Sequence, residues 1–125
     1  MHVIRLRGPW NYSATDSAGQ TREGRAPLAD GVTEVAPPGF IGTVRWRRSF
    51  HRPTGLDDGE RVFLAIDNLR DATVELNGVA LPSERCEITT RLHARNELVI
   101  TQTCPSASST RCFSDVRLEI VERNE

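Results

Sequence analysis

The 125-residue chain has no lysine: its 16 basic residues are all arginine, set against 17 acidic ones for a formal net charge of −1. A nucleic-acid surface normally shows a basic excess, so none is expected as a partner. Long apolar runs are also missing, and without roughly 18 or more consecutive apolar residues no helix crosses a bilayer; no membrane partner is expected. The N-terminal stretch MHVIRLRGPW carries arginines where an export signal needs its apolar segment, which predicts a cytoplasmic protein. Cysteine is scarce and odd in number (Cys86, Cys104 and Cys112), with no C-x2-C pair, and His2, His51 and His93 are scattered, so no metal site is expected. Reduced thiols are the default in that compartment. The Cys104–Cys112 pair, read as bracketing a loop between neighbouring antiparallel strands, is the candidate disulfide.

Several chemistries lack their parts. A catalytic barrel of about 250 residues does not fit. There is no Gly-x-Ser-x-Gly elbow, Cys–His signature or phosphate-cradling glycine loop. Glycoside hydrolysis needs two carboxylates about 5–9.5 Å apart on a rigid frame, and no pair of acids stands in a recognisable motif. The chain reads as a non-catalytic domain rather than an enzyme, with residues 1–125 forming one domain.

What is present is strand periodicity. Val116, Leu118 and Ile120 alternate with Arg117 and Glu119, and Val62, Leu64 and Ile66 repeat the pattern in RVFLAID. Thr73-Val74-Glu75-Leu76 runs into Asn77-Gly78, the strongest short hairpin signal, and Val79-Ala80-Leu81 returns. Leu98 and Ile100 continue the alternation, as do Val44, Trp46 and Phe50. No helical stripe is sustained. Strands punctuated by glycine, proline and aspartate predict an all-β antiparallel sandwich or barrel. Residues 15–42 read as a long polar segment with a hint of a strand at 32–35. Phe63 and Ala65 face away from Val62, Leu64 and Ile66, and the long segment is expected to cover them. Arg48 shares parity with Trp46 and Phe50, so it should meet a carboxylate or an aromatic face. Of the seven aromatics, Trp10 with Tyr12 and Trp46 with Phe50 read as core; Phe40 and Phe113 are left as candidate surface rings.

The order of motifs is informative. Leu6-Arg7-Gly8-Pro9-Trp10-Asn11-Tyr12, Val35-Ala36-Pro37 and Arg45-Trp46-Arg47-Arg48-Ser49-Phe50 are followed by Arg61-Val62-Phe63-Leu64-Ala65-Ile66-Asp67. Ala72-Thr73-Val74-Glu75-Leu76-Asn77-Gly78, Ile88-Thr89-Thr90-Arg91-Leu92 and Asn96-Glu97-Leu98-Val99-Ile100 complete the series. Together, over roughly residues 5–122, they resemble the N-terminal sugar-binding domain of the β-galactosidase and β-glucuronidase family, glycoside hydrolase family 2. The resemblance implies a galactose-binding-like jelly roll and a carbohydrate-binding role. Three departures stand out: Glu75 occupies a position usually held by tryptophan, Val32 and Phe40 stand where tryptophans are common, and only Pro82 to Glu87 fill a usually long segment. The alternative is a protein-interaction or structural domain that has lost the sugar site. Domains of this fold often carry structural calcium, but Asp57-Asp58-Gly59-Glu60 lacks regular ligand spacing and reads as a solvated turn with Gly59 at positive φ. No cofactor is expected.

Strand direction then nominates a pole. If the strand at 43–51 runs up, the loops at 37–42, 68–71, 83–86 and 104–111 all fall at the bottom. They bring Phe40, Asn68, Arg70, Asp71, Glu84, Arg85 and Arg111 to one end as candidate ligand-binding residues, with Phe40 as apolar anchor. Loops clustered on a rigid scaffold are where binding is usually built. With so few exposed aromatics, any carbohydrate or protein partner is expected to bind weakly, at millimolar affinity (about −4 kcal/mol) for a sugar.

Overall fold

Alternating side chains decide the architecture: residues of one parity are apolar and close on a common interior, and those of the other parity are polar. A computed structural model describes residues 1–26, 40–69, 72–82, 84–104, 113 and 115–122, with the backbone alone described at positions 26 and 104. The strands are β1 (His2–Arg5), β2 (Trp10–Asp16), β3 (Thr21–Ala26), β4 (Gly42–His51), β5 (Glu60–Ile66), β6 (Ala72–Leu76), β7 (Val79–Ala80), β8 (Arg85–Glu87), β9 (Arg95–Cys104) and β10 (Val116–Glu122). A single 3-10 turn at Thr89–Arg91 is the one helical segment among the described residues. Two antiparallel sheets pack as a sandwich, one of four strands ordered β1-β10-β5-β8 and one of six ordered β3-β2-β4-β9-β6-β7.

The interior follows from the alternation. Val44, Trp46 and Phe50 of β4, Leu98 and Ile100 of β9, Val62 and Leu64 of β5, and Leu118 and Ile120 of β10 are buried in one cluster. The Trp46 indole donates to Gln102 Oε1 at 3.1 Å and the Trp10 indole to the Leu6 carbonyl at 3.0 Å, so neither ring strands its N–H inside. Phe113, expected at the surface, is instead 1% exposed and meets Trp46 edge-on at 6.3 Å. Its flanking residues are polar, which concealed a core position.

Four further expectations are corrected. First, the segment 15–42 contains a strand, β3, at Thr21–Ala26. It pairs with β2 from Trp10↔Ala26 to Thr15↔Thr21 and forms an edge of the larger sheet. TREGRA shows no apolar alternation, and its Gly24, opposite Tyr12, lies against the Tyr12 ring. Gly24 permits this, since a Cβ there would stand 2.8 Å from the Tyr12 hydroxyl. Second, β9 and β10 are not hairpin partners: β9 pairs with β4 and β6, whereas β10 pairs with β1 and β5 in the other sheet. The connection between them crosses the sandwich. Cys112 and the Cys104 side chain lie outside the described residues, while Cys86 is free and half-buried. Third, Arg48 meets neither a carboxylate nor a ring among the described residues. It sits at the sheet margin, its Nε donating to the Arg7 carbonyl at 2.8 Å and its Nη1 to the Ser49 carbonyl at 3.1 Å. Fourth, Gly55 rather than Gly59 has positive φ near the 52–60 turn, where Glu60 Oε1 accepts the Asp57 N–H at 3.0 Å. The strand expected at 32–35 lies outside the described residues.

The Asn77-Gly78 turn behaves as its sequence demands, with φ of 52° and 83° and Leu76 opposite Val79. Its asparagine does more than turn. Asn77 Oδ1 accepts the Glu97 N–H at 2.9 Å, and its Nδ2 donates to Asn96 Oδ1 at 3.0 Å. Asn96 is buried, and its amide is oriented by donating to the Phe50 and His93 carbonyls while accepting the His93 N–H. An Asn77→Asp substitution therefore sets a carboxylate oxygen against an acceptor that cannot turn around. It is expected to destabilise the fold by about 1–3 kcal/mol at neutral pH, read as a lowered urea midpoint; an unchanged midpoint would show the pair to be without weight.

Candidate functional site

The pairing registers place the ends of the strands. Gly42 stands opposite Cys104, Ala72 opposite Gln102 and Val116 opposite Ile66, while the Ile66 N–H donates to the Glu84 carbonyl at 2.8 Å. The entry to β4, the β5–β6 connection, the approach to β8 and the exit of β9 thus share one end of the sandwich. At that end the structure brings Asn68, Glu84 and Arg85 together with Ala65, Ile66, Asp67 and Arg117 around an open depression of about 480 Å³, within the size range of small-molecule sites. Phe40 does not line it; the ring is half-buried and packs against the core. Arg70, Asp71 and Arg111 lie outside the described residues.

Asn68 suits its place, because its φ of 58° is a conformation asparagine tolerates better than most residues. The charged groups are organised by Arg117, an outward residue of β10. Its Nη1 donates to Asp67 Oδ1 and Asp115 Oδ2, each at 3.0 Å, and its Nε to Glu119 Oε2 at 3.0 Å. Arg85 reaches across from β8 to give Glu119 Oε1 a second donor at 2.9 Å. The hydrogen bond to Asp67, aided by those to Glu119 and Asp115, raises the Arg117 pKa further above its ordinary value, so the residue is permanently cationic. Glu119 is only 7% exposed on what should be an outward face. Burial pushes its carboxyl up, but the hydrogen bonds from Arg85 and Arg117 outweigh this and hold it below the usual carboxylate range.

The same arginines answer the question of what covers β5. Arg85 lies over the Phe63 ring at 4.1 Å and Arg61 at 5.3 Å. Ala65, opposite Arg85 on β8 and Arg117 on β10, is 3% exposed. Guanidinium groups on apolar stems lie against this face; residues 27–39 of the long segment expected to cover it lie outside the described residues. All seven aromatic residues are therefore buried or half-buried. Among the described residues no group of three or more His, Cys, Asp or Glu is placed to hold a metal ion.

Sequence reasoning reached Asn68, Glu84 and Arg85 through strand direction. It missed Asp67 and Arg117, although both stand in the alternating strands it identified. Their convergence depends on β10 lying beside β5, with Arg117 opposite Ala65, and residues 50 positions apart in the chain leave no local trace of that pairing.

The class defined by these observations is an all-β antiparallel sandwich with a polar, charge-paired depression at its loop-bearing pole. Solved structures share the architecture over nearly the whole chain. An FMN-binding β-glucuronidase from Facaelibacterium prausnitzii L2-6 matches 97% of it with a TM-score of 0.70 at 20% identity, and the match covers 22% of that enzyme. The β-glucuronidase of Bifidobacterium dentium, complexed with coumarin-3-O-glucuronide, matches 82% with a TM-score of 0.63 at 27% identity, covering 20% of that chain. A β-galactosidase from Bacteroides fragilis matches 97% with a TM-score of 0.63 at 18% identity, covering 23% of that chain. No family model and no curated protein sequence matches. The chain thus spans about a fifth of the length of these enzymes, and its described residues form the sandwich without a catalytic barrel. The likeness agrees with the sugar-binding domain that the motif order resembles.

Removing the Glu119 charge tests the network. Because the folded-state pKa is depressed, its stabilisation is present above the ordinary glutamate value of about 4.3 and is lost as pH falls through the folded value. A Glu119→Gln variant should lose about 1–3 kcal/mol at pH 7, less than a fully buried pair because Arg85 is half in solvent. It should also show a flatter fall in stability than the parent below about pH 4. Equal urea midpoints at pH 7 would show that the arginines compensate through other partners.

Proposed function

We propose that the domain is a non-catalytic binding module of carbohydrate-binding type, whose ligand docks in the depression formed by Asp67, Asn68, Glu84, Arg85 and Arg117. The observation that carries the reading is the lining itself. Carboxylate acceptors and an amide that both gives and accepts hydrogen bonds converge on a solvent-open hollow of saccharide size. Sugar hydroxyls pair with carboxylates through charge-assisted bonds, and backbone pairing of β5 with β10 holds Asp67 and Arg117 in place. With no aromatic ring among the described residues that line the depression, binding rests on hydrogen bonds and stays in the millimolar range, about −4 kcal/mol. The likeness to parts of β-glucuronidases and β-galactosidases supports a role beside saccharides.

A second reading, a protein-contact domain without a sugar site, is favoured by the same lack of an exposed aromatic. Amide chemical shifts followed by NMR during titration with monosaccharides discriminate the two. The binding reading expects concentration-dependent shifts at residues 66–68, 84–85 and 117, and an Asn68→Ala variant should weaken them about tenfold. Shifts confined to the 52–60 and 91–95 end, or no shift with any saccharide up to about 50 mM, would remove it.

A further inference from the structure

A second hollow, of about 330 Å³, opens between the edge strand β1 and the last residues of β4, towards the end of β4 away from the depression. Ile4, Leu6, Phe50, Pro53 and Leu118 give it apolar walls, and Arg48 stands among them. Ile4 and Leu118 are opposite each other in the β1–β10 register and turn towards the core, so the hollow lies on the other side of the smaller sheet from Arg117. It is therefore a separate site, and nothing about it depends on the saccharide reading. We infer that this hollow binds an arylalkanoate, a small carboxylate carrying an aromatic ring on a short alkyl chain, with Arg48 as the partner of the carboxylate.

Alternation along β4 puts Arg48 on the same side as the buried Trp46 and Phe50. There it meets only neutral acceptors, the Arg7 carbonyl at 2.8 Å from its Nε and the Ser49 carbonyl at 3.1 Å from its Nη1. It makes no ion pair among the described residues, and no Asp or Glu among them lines the hollow. Arg5, the other arginine of the lining, is already held by Asp115 at 3.7 Å. Burial pushes the Arg48 pKa below its ordinary value, as expected of a cation that has lost hydration without gaining a counter-charge. The two carbonyls fix the guanidinium, and its Nη2 has no acceptor among the described residues, so a carboxylate can accept from that side without displacing any partner. The walls select what the carboxylate carries. A ring seated on Ile4, Pro53 and the edge of Phe50 exchanges water for apolar and aromatic contact. The volume stands at the low end for small-molecule sites, enough for one ring and a few methylenes but not for a long acyl chain. A saccharide fits poorly, because apart from the arginines only Ser49 and His51 offer polar side chains and the other hydroxyls would face hydrocarbon.

The test is an amide NMR titration at pH 7 with sodium 3-phenylpropionate, set beside uncharged 3-phenyl-1-propanol and sodium acetate. Phenylpropionate should shift the amides at 4–6, 48–52 and 118 with a Kd of about 1 mM, and the alcohol and acetate should each bind about tenfold more weakly or not at all. Arg48→Met, which keeps an apolar stem, should lose about tenfold in affinity for phenylpropionate and leave that for the alcohol unchanged. A loss confined to the anion separates a missing ion pair from a damaged fold, and the three-ligand comparison on the parent chain stands even if the variant does not fold. The alcohol binding as tightly as phenylpropionate would overturn the role of Arg48, and acetate doing so would overturn that of the walls. No shift at these amides up to about 20 mM phenylpropionate would overturn the site. Shifts there that grow with protein concentration alone would give the hollow to a second copy of the chain and overturn it as well. Saccharide shifts are expected at 66–68, 84–85 and 117 instead, so either site can fail without the other.

Discussion

The sandwich depends on the burial of Trp46 between its sheets. From the middle of β4 the indole contacts rings contributed by β2 and by the approach to β10: Tyr12 at 6.0 Å and Phe113 at 6.3 Å. Its N–H is satisfied by Gln102, a buried polar residue of β9, and losing that partner would leave a donor without water or acceptor in the interior. The bond links neighbouring strands of the larger sheet, while the ring packs towards the smaller one. A large aromatic buries more area than any aliphatic side chain, so a misplaced register would cost several kcal/mol at this one position. The strand alternation around it follows the same requirement.

The outward side of the smaller sheet solves a different problem. A sheet whose inner face is committed to the core still exposes Phe63 and Ala65 on the outside. Among the described residues, arginines lie over them. Arg61 and Arg85 lay their planes over Phe63, and Arg85 then donates to Glu119, which Arg117 holds from the other side. The absence of lysine bears on this: a guanidinium can lie over a ring and still donate in its own plane to a carboxylate, which an ammonium cannot do. Covering the face and organising the depression are one construction, because Arg85 and Arg117 also line the hollow at the pole.

That shared construction ties the cover of the smaller sheet to the polar hollow at one end of the sandwich. The hydrogen-bonded arginines and carboxylates neutralise one another. At the other end, Asn77 and Asn96 form a compact polar plug that locks the hairpin to β9. One pole is closed by side-chain amides, and the other is open and lined with charge.

The sequence alone determined what is local. The alternation in β4, β5, β9 and β10, the Asn-Gly turn and the all-β class are set by residue period and by the φ values that asparagine and glycine tolerate, so they are legible in the order of residues itself. Strand direction, which follows from counting turns, also brings Asn68, Glu84 and Arg85 to one end. Tertiary structure decided the rest. β3 is illegible in the sequence because an edge strand beside Tyr12 needs no apolar alternation. The separation of β9 from β10 is equally hidden, because two antiparallel strands in succession look the same whether they pair or cross between sheets. Phe113 became core and Arg48 a margin residue through neighbours distant in the chain. Arg117 became the centre of the site only once β10 lay beside β5, since an ion-pair network is defined by distances of about 3 Å in space and sequence separation does not encode them.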